Sequence, residues 1–171
     1  LAGIARAAKG GVLVKGGIHL ENLGMTDTLA FDKTGTLTNA KPHLVDVISF
    51  STFSPDEILA SLAALESRSG HPLAKAVAAA TVTRSLLIPQ ASDIQSITGM
   101  GIQGKINGVD YLAGNMAMMK RFGIKIDDDI RRTIQILEKE GYNIVYLTQN
   151  GTLSGVVTIA DTIRSEIKQS V

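Results

Sequence analysis

Groups that could carry out chemistry are concentrated in one stretch of the chain, residues 32–38, which reads Asp-Lys-Thr-Gly-Thr-Leu-Thr. A carboxylate such as Asp32 can act as a nucleophile and accept a phosphoryl group, which gives an aspartyl-phosphate. The glycine allows a sharp turn whose amides, with the threonine hydroxyls, can hold phosphoryl oxygens, and Lys33 adds a positive charge nearby. The alternative is an Asp-containing turn that only closes a strand. Seven consecutive residues of these types favour the chemical interpretation.

The segments before this stretch predict the elements that must position it. Thr28–Phe31 is a short apolar run, typical of a buried strand. Asp32 would then lie at the carboxyl end of that strand, the edge at which open α/β sheets place their ligands. Further upstream, Gly11–Lys15 predicts another strand, and Ile18–Leu23 predicts a helix that stops at Gly24.

The composition excludes several classes of function. The chain has 171 residues, 44% hydrophobic and 19% charged, which is typical of a globular protein of one or two domains. A net charge of +1 gives no electrostatic case for a nucleic-acid or membrane-surface partner. The absence of cysteine excludes disulfides and thiolate metal sites, and the three histidines lack zinc-ligand spacing. No apolar run approaches the roughly 18 residues of a membrane helix, so we expect a soluble chain.

The middle of the chain predicts a self-contained α+β unit. Two Asn-Gly pairs between alternating runs, at residues 107–108 and 150–151, predict β-hairpins. Ser54 followed by Pro55 predicts the start of a helix. Residues 93–113 are β-like, and the other predicted elements are strands at 44–50, 142–148 and 152–158 and helices at 55–69, 72–84, 116–121 and 127–141.

We therefore predict three parts, with the α+β unit inserted between two smaller pieces. The first is 1–41, the inserted domain is 42–157, and the chain returns to the first part over 158–171. The boundary is placed at Asn39–Pro42 because this segment is rich in turn residues. Ala160–Arg164 predicts entry into a last helix.

Two features of the inserted unit have open interpretations. His71 precedes Pro72 at the mouth of a predicted helix, where a histidine either caps the helix or contacts a ligand. Residues 99–104 spell Gly-x-Gly-x-x-Gly, but the dinucleotide-binding motif needs a helix to follow, and this sequence continues as a strand. These glycines therefore mark a close approach of the backbone either to a ligand or to a neighbouring strand.

The stretch 32–38 matches in every residue the phosphorylation motif of the P-type ATPases, ion pumps that pass through an aspartyl-phosphate. These pumps resemble the haloacid dehalogenase-like hydrolases, many of which carry a second Asp two positions after the nucleophile as general acid/base. Thr34 occupies that position here, and a phosphoenzyme without a group to activate water should live longer, which suits a pump. The resemblance implies Asp32, Lys33 and Thr34 as catalytic residues, with Asp32 and Thr34 as magnesium ligands.

More specifically, the chain resembles the heavy-metal-transporting subclass. Its members carry, in order, a Glu five residues before a His-Pro, a Gly-x-Gly and a Gly-Asn, and this sequence has the same series. The resemblance implies an adenosine pocket in which Glu66 accepts a hydrogen bond from the adenine amino group and His71 packs against the base. Gly99 and Gly101 would let the nucleotide lie against the backbone, and Asn115 would bind near the ribose.

Two further segments refine the resemblance. Copper-transporting members usually have Glu directly before His-Pro, whereas this chain has Gly70. Together with the sequence at Gly16–Glu21, this favours a zinc-, cadmium- or cobalt-type pump. Asp161 with Arg164 resembles the segment that leads back into the phosphorylation domain and couples the two lobes.

The resemblance implies an α/β fold in which an antiparallel-sheet nucleotide-binding domain, flanked by helices, is inserted in an incomplete haloacid dehalogenase-like (Rossmannoid) phosphorylation domain. The implied cofactors are ATP and Mg²⁺. The implied partners are the rest of a pump, namely its membrane helices, the remainder of the phosphorylation domain and the actuator domain, at the cytoplasmic face of the membrane. No nucleic-acid partner is expected, and the transported metal is not expected to bind this chain.

The family's later Thr-Gly-Asp and Gly-Asp-Gly-x-Asn-Asp motifs do not occur in this sequence, so we expect nucleotide binding without turnover. Two rival functions remain. One is a soluble haloacid dehalogenase-type phosphatase, and the other is a free-standing nucleotide-binding or regulatory module in which Asp32 has no chemical role.

A two-lobe arrangement also makes a geometric prediction. The five adenosine-site residues should surround one pocket on the inserted domain, with Asp32 well away from His71. The lobes should close by a hinge at Asn39–Pro42 and Thr158–Asp161, where the chain leaves and re-enters the flanking lobe.

Overall fold

A computed structural model of the chain describes residues 2–163 and residue 167. Its helices are α1 (Ala2–Lys9), α2 (Gly17–Gly24), α3 (Pro55–Glu66), α4 (Pro72–Thr83), α5 (Met116–Arg121) and α6 (Asp128–Lys139). Its strands are β1 (Thr38–Ser49), β2 (Ala91–Ile97), β3 (Gly101–Ile106), β4 (Val109–Gly114), β5 (Asn143–Gln149) and β6 (Thr152–Ile163). Between α2 and β1, Lys33–Leu37 form one π-helical turn. Within these residues, no helix is long and apolar enough to cross a membrane.

The strands form one antiparallel sheet in the order β1-β6-β5-β4-β3-β2. Hairpins at residues 107–108 and 150–151 join β3 to β4 and β5 to β6. Both turn residues have positive φ in each hairpin, 52° and 79° in the first and 47° and 76° in the second. Asn-Gly pairs favour this conformation because neither residue is strongly penalised there. Both hairpin predictions are confirmed.

Helices cover both faces of the sheet. α3 and α4 pack over one core, whose members include Leu59, Leu62, Leu65, Val77 and Ile102. α5 and α6 pack over a second core, whose members include Met118, Met119, Ile134, Tyr146 and Val156. Successive residues of β5 enter opposite cores, as the alternation of a strand requires. Burial raises the pKa of Tyr146 to about 12.

Local capping signals fix where α3 and α6 begin and end. Ser54 Oγ accepts a hydrogen bond from Glu57 N at 3.2 Å, and Glu57 Oε2 accepts one from Ser54 N at 2.7 Å. These hydrogen bonds from Ser54, the backbone one first, lower the pKa of Glu57. Acidic residues open the first turn of α6, and Gly141, with a φ of 87°, follows its end. Both helices form as predicted, although α3 ends at Glu66, earlier than expected.

The strands predicted ahead of the phosphorylation stretch are not formed. Gly11–Lys15 and Thr28–Phe31 are irregular, and Leu29 and Phe31 are 64% and 51% exposed. The prediction of a buried strand before Asp32 was wrong, because a strand requires a hydrogen-bonding neighbour and apolar cover. The sheet draws its strands from other parts of the chain. The helix α2 does form where it was predicted.

β1 and β6 are longer than the sequence predicts. Asn39–Pro42, predicted as a turn, belongs to β1, and the predicted helix entry at Ala160–Arg164 is strand up to residue 163. The two segments pair, with Pro42 opposite Asp161, so a long ladder of backbone hydrogen bonds overrides the local turn preference. Both predicted domain boundaries, at residues 42 and 157, fall inside these paired strands. Arg164 lies outside the described residues.

The two edge strands of the sheet are both irregular. The ladder of β1 shifts register between Thr38 and Pro42, and proline is tolerated there because one side of an edge strand needs no N–H donor. The ladder of β2 shifts between Ser92 and Gln95, where Asp93 has a φ of 52°. Such a shift is typical of a β-bulge, which bends and twists the strand.

Candidate functional site

One cavity of about 710 Å³ lies where the end of α3, the start of α4, the β2–β3 turn and the β4–α5 junction meet. Its lining includes all five residues that the sequence analysis assigned to an adenosine pocket, namely Glu66, His71, Gly99, Gly101 and Asn115. These residues come from separate connections of the fold, and the antiparallel sheet with its helices brings them together.

His71 caps α4 and keeps one ring nitrogen for a ligand. Its Nδ1 accepts a hydrogen bond from the Leu73 backbone N–H at 3.2 Å. The proton of the neutral ring therefore lies on Nε2, which is the donor that remains. Of the two interpretations left open, the structure shows the cap, and the ring is also exposed at the cavity. Glu66, the last residue of α3, is half-buried beside it.

The two glycines of the cavity differ in what surrounds them. A Cβ atom on Gly101 would lie 2.2 Å from the Ala113 carbonyl oxygen and 2.5 Å from the Gly114 Cα. Gly101 is therefore required by its neighbouring strand. A Cβ on Gly99 would meet no atom within 4 Å, and its φ of 72° is the left-handed conformation that favours glycine. Gly99 thus leaves open space at the cavity, which is room that a nucleotide lying against the backbone would need.

Asn115 connects the glycine turn to helix α5. Its Nδ2 donates to the Gly99 carbonyl oxygen at 2.8 Å, and its Oδ1 accepts from the Met118 N–H at 3.1 Å. Its backbone N–H also donates to the Met100 carbonyl oxygen at 2.8 Å. Both ends of the side-chain amide are therefore engaged within the protein. Asn115 holds the turn in place, and a ribose contact could use only its remaining donor and lone pairs.

Arg68 also lines the cavity, and the sequence analysis did not single it out. It is exposed in the connection between α3 and α4, and among the described residues that line the cavity it is the only Lys or Arg. A guanidinium group suits the oxygens of a phosphate. The signal that could have identified it is its position three residues before His71.

Asp32 lies outside this cavity, at the start of the π-helical turn. It is exposed, its backbone is extended, with φ −68° and ψ 142°, and its side chain makes no capping hydrogen bond to the turn. Gly35 has a φ of 82°, which provides the sharp turn expected of it. The turn then leads directly into β1. The side chains of Lys33 and Thr34, both predicted to be catalytic, lie outside what the structure describes.

A chain of hydrogen bonds links this turn to strand β6. The Gly35 N–H donates to Thr38 Oγ1 at 3.1 Å, and Thr38 Oγ1 donates to Asp161 Oδ2 at 2.5 Å. Thr38 is 1% exposed, whereas Gly35 is exposed, so the two bonds are partly buried. The second bond is charge-assisted because its acceptor is a carboxylate. Asp161 therefore contacts the last residue of the phosphorylation stretch directly.

The described residues supply only part of a magnesium site. Asp32 offers a carboxylate oxygen, a ligand type that Mg²⁺ prefers. However, no group of three or more His, Cys, Asp or Glu side chains within the described residues is arranged to hold a metal ion. A magnesium ion at Asp32 would need further oxygen ligands, of the kind that nucleotide phosphates provide.

Comparison with known proteins relates the chain to metal pumps. A family model described as haloacid dehalogenase-like hydrolase matches residues 26–171. The copper-exporting P-type ATPase of Bacillus subtilis is 36% identical over 171 residues, which is 100% of this chain and 21% of that protein. The probable cadmium-transporting ATPase of Alkalihalophilus pseudofirmus is 35% identical over 99% of this chain and 24% of that protein. The chain thus spans less than a quarter of the length of these curated relatives.

Solved structures show the same fold. A zinc-transporting PIB-type ATPase in the E2.Pi state matches with a TM-score of 0.68 and 34% identity, over 99% of this chain and 27% of that chain. The N-domain of HMA6, a copper-transporting P-type ATPase, matches with a TM-score of 0.57 and 26% identity, over 70% of this chain and 99% of that chain. The predicted fold, an antiparallel sheet flanked by helices with a haloacid dehalogenase-like portion, is confirmed.

Proposed function

We propose that this chain, which belongs to the haloacid dehalogenase-like hydrolase family, is the ATP-binding and phosphorylation region of a heavy-metal P-type ATPase. Such a pump couples ATP hydrolysis to the movement of a metal cation across a membrane, with this region at the cytoplasmic face. One observation carries the proposal: five residues suited to adenosine line one cavity, and Asp32 lies outside it. A nucleotide whose base and terminal phosphate are held by different parts of the protein needs this separation.

In the adenosine site, Glu66 and His71 offer complementary groups to the base. The Glu66 carboxylate can accept from an amino group, and the exposed His71 ring can stack on the base or donate through Nε2. Gly99 leaves room for the nucleotide, and Arg68 can neutralise its phosphates. Asn115 and Gly101 hold the turn that carries Gly99.

In the phosphorylation step, a carboxylate oxygen of Asp32 attacks the γ-phosphorus of ATP, the bond to the β–γ bridging oxygen breaks, and ADP leaves. Water later hydrolyses the aspartyl-phosphate, which releases phosphate and restores Asp32. Amides of the turn at Lys33–Leu37 other than that of Gly35, which donates to Thr38 Oγ1, can hold the phosphoryl oxygens. Lys33 and Thr34 are assigned to the same step. Mg²⁺ bound beside Asp32 would neutralise charge on those oxygens.

Nucleotide binding can be tested with His71→Asn, which keeps an N-cap acceptor for α4 and removes the imidazole ring. We expect ATP affinity, measured by calorimetry on this chain, to fall by about 1–3 kcal/mol if the ring stacks on the base. Thermal stability should change little. His43→Asn is the matched control, because His43 is exposed on β1 and does not line the cavity. An unchanged affinity in His71→Asn would remove His71 from the site.

The phosphoryl acceptor can be tested with Asp32→Asn in the full-length pump. The amide is no nucleophile, so acid-stable labelling from γ-labelled ATP should disappear while ATP binding is retained. Labelling of the Asn variant at the wild-type level would show that another residue is phosphorylated. The same labelling of the wild-type protein, measured with and without the heavy-metal ion, separates the rivals. Labelling of a soluble phosphatase would not depend on that ion, and a regulatory module would not be labelled at all.

The finer proposals concern the transported ion and the domain division. Gly70 and the segment Gly16–Glu21 support a zinc-, cadmium- or cobalt-type pump, and ATP hydrolysis stimulated by copper alone in the full-length protein would contradict this. The match of 70% of this chain to a separately solved N-domain supports an inserted domain close to residues 42–157. A fragment of those residues that failed to fold and bind ATP would contradict the division.

A further inference from the structure

A methionine occupies the glycine turn of the cavity. Met100 stands between Gly99 and Gly101, and it lines the cavity. The residue is half-buried, and its side chain also packs against the second core. Its N–H donates to the Ile97 carbonyl oxygen at 3.0 Å, and its carbonyl oxygen accepts from the Asn115 N–H at 2.8 Å. The backbone that carries this thioether is therefore held in place at the rim of the cavity.

The sulfur of Met100 has a cationic neighbour. Arg121, the last residue of α5, places Nη1 3.8 Å from Met100 Sδ, in a contact that is exposed to solvent. A thioether sulfur is only a weak acceptor, so the guanidinium gains little from it. A sulfoxide oxygen on the same sulfur would accept a stronger, charge-assisted hydrogen bond. Negative charge that develops on an attacking peroxide would be stabilised by the same group. Arg121 therefore favours oxidation of this particular sulfur.

We propose that Met100 is a site of reversible oxidation by hydrogen peroxide, and that the sulfoxide weakens nucleotide binding. A lone pair of the sulfur attacks one peroxide oxygen, an S–O bond forms and the O–O bond breaks. The departing hydroxide takes the proton of the transferred oxygen to give water. The sulfur loses two electrons and the peroxide gains them, and sulfoxide reductases reverse the change. The effect on the nucleotide rests on the proposed function, whereas the oxidation itself does not.

Oxidation would change the surface that the turn offers to a base. A thioether is apolar and polarisable, and it makes favourable contacts with aromatic rings. The sulfoxide is polar, so it cannot be buried in the second core without losing its hydrogen bonds to water. It would remain at the rim beside Arg121, and a base packed on the turn would lose the apolar contact. The bond from Asn115 keeps the turn from moving away.

The other methionines of the chain serve as internal standards. Met118 and Met119 are 0% exposed, so peroxide cannot reach them in the folded chain. Met25 is 76% exposed and should react readily, but it does not line the cavity. Met116 is half-buried, as Met100 is, and it also lies outside the cavity lining. Met116 is therefore the matched comparison for Met100.

The oxidation is tested on this chain without ATP. After timed treatment with hydrogen peroxide, peptide mass spectrometry with fragmentation measures the sulfoxide at each methionine. We expect Met100 to be oxidised on the order of tenfold faster than Met116, because its sulfur is in an exposed contact with a cation. Arg121→Gln should slow oxidation of Met100 by about threefold and leave Met25 unchanged. Oxidation of Met100 no faster than that of Met116, or unaffected in Arg121→Gln, would overturn the proposed site.

The effect on the nucleotide is tested by calorimetry with ATP, before and after peroxide, in a Met25→Leu background that removes the most exposed methionine. We expect oxidation to lower ATP affinity by about three- to tenfold, the range of a lost sulfur–aromatic contact. Treatment with a methionine sulfoxide reductase should restore the affinity. Leucine conserves the volume of methionine, so the affinity of a further Met100→Leu variant should stay at its own starting value after peroxide.

An ATP affinity that oxidation leaves unchanged, or that falls equally in the Met100→Leu variant, would overturn the effect on the nucleotide. A chain that binds no ATP before peroxide is added would instead refute the proposed function. The order of oxidation among the methionines would still decide whether Met100 is the modified residue.

Discussion

At the scale of single residues, Gly99 and Gly101 show how one sequence pattern can serve two purposes. Both have positive φ, 72° and 151°. At Gly101 a side chain would collide with backbone atoms of β4, whereas at Gly99 it would enter open space. The pattern therefore combines a packing requirement with a conformational one, and only Gly99 leaves room at the cavity.

This difference predicts unequal effects of the same substitution. Gly101→Ala should destabilise the fold by about 3 kcal/mol or more, the upper end of the usual cost of overpacking, because the added methyl meets backbone that cannot move aside. Gly99→Ala should cost about 1–2 kcal/mol, the conformational penalty alone. Urea unfolding of the two variants checks the order, and a larger loss in Gly99→Ala would contradict it.

At the scale of elements, the start of α3 depends on ionised Glu57. Its lowered pKa means that the folded state favours the carboxylate, so the stability it contributes is present above the ordinary value of 4.5. That contribution is lost as the pH falls through the lowered pKa. We expect Glu57→Ala to have a lower free energy of unfolding than wild type at pH 7. This difference should shrink as the pH falls below 4.5.

Urea midpoints measured over a pH series check this prediction. Glu57→Gln is the control, because glutamine keeps an acceptor for Ser54 but carries no charge. The difference in free energy of unfolding between wild type and the glutamine variant should therefore disappear in the same acid range. A gap between wild type and Glu57→Ala that stays constant down to pH 3 would show that the charge of Glu57 contributes nothing.

The elements that the sequence predicted well are those with local causes. Asn-Gly turns, the Ser54 cap and the acidic start of α6 depend on residues within a few positions of each other. The long ends of β1 and β6 depend on each other across more than 100 residues, so turn residues at Asn39–Pro42 misled the prediction. The contact of Thr38 with Asp161 has the same character, and nothing in either local sequence indicates it.

The candidate site was predictable to a similar extent. Glu66, His71 and the glycine pattern were found through a family resemblance, and the fold does bring them to one cavity. Arg68 was missed because the one local signal for it is its position three residues before His71, and an exposed arginine is otherwise ordinary. The hydrogen bond by which Asn115 holds the glycine turn could not be predicted, since it depends on the position of the Gly99 carbonyl oxygen in space.

At the scale of the whole molecule, apolar cover is uneven. Neither α1 nor α2 contains a buried residue, whereas Leu62, Leu65 and Ile134 are between 0% and 1% exposed. The first part of the chain therefore contributes little to the packing that stabilises the rest.

Amide exchange should report this difference directly. We expect the amides of α2 to exchange with little protection, and those of α5, which buries Met118 and Met119, to exchange much more slowly. α5 makes the comparison strict because it is the shorter helix. Helix length alone would give slower amide exchange in α2 than in α5. Equal protection in the two helices would contradict the uneven packing.

The irregular edges of the sheet bear on how copies of this domain behave when crowded. A straight edge strand with all its donors and acceptors free is a template on which a strand of another molecule can be added. Here Pro42 removes a donor from β1, and the bulge at Asp93 twists β2 away from a flat edge. Strand addition from a second copy is hindered at both ends of the sheet. We therefore expect neighbouring copies to lie side by side at high local density without their sheets fusing into fibrils.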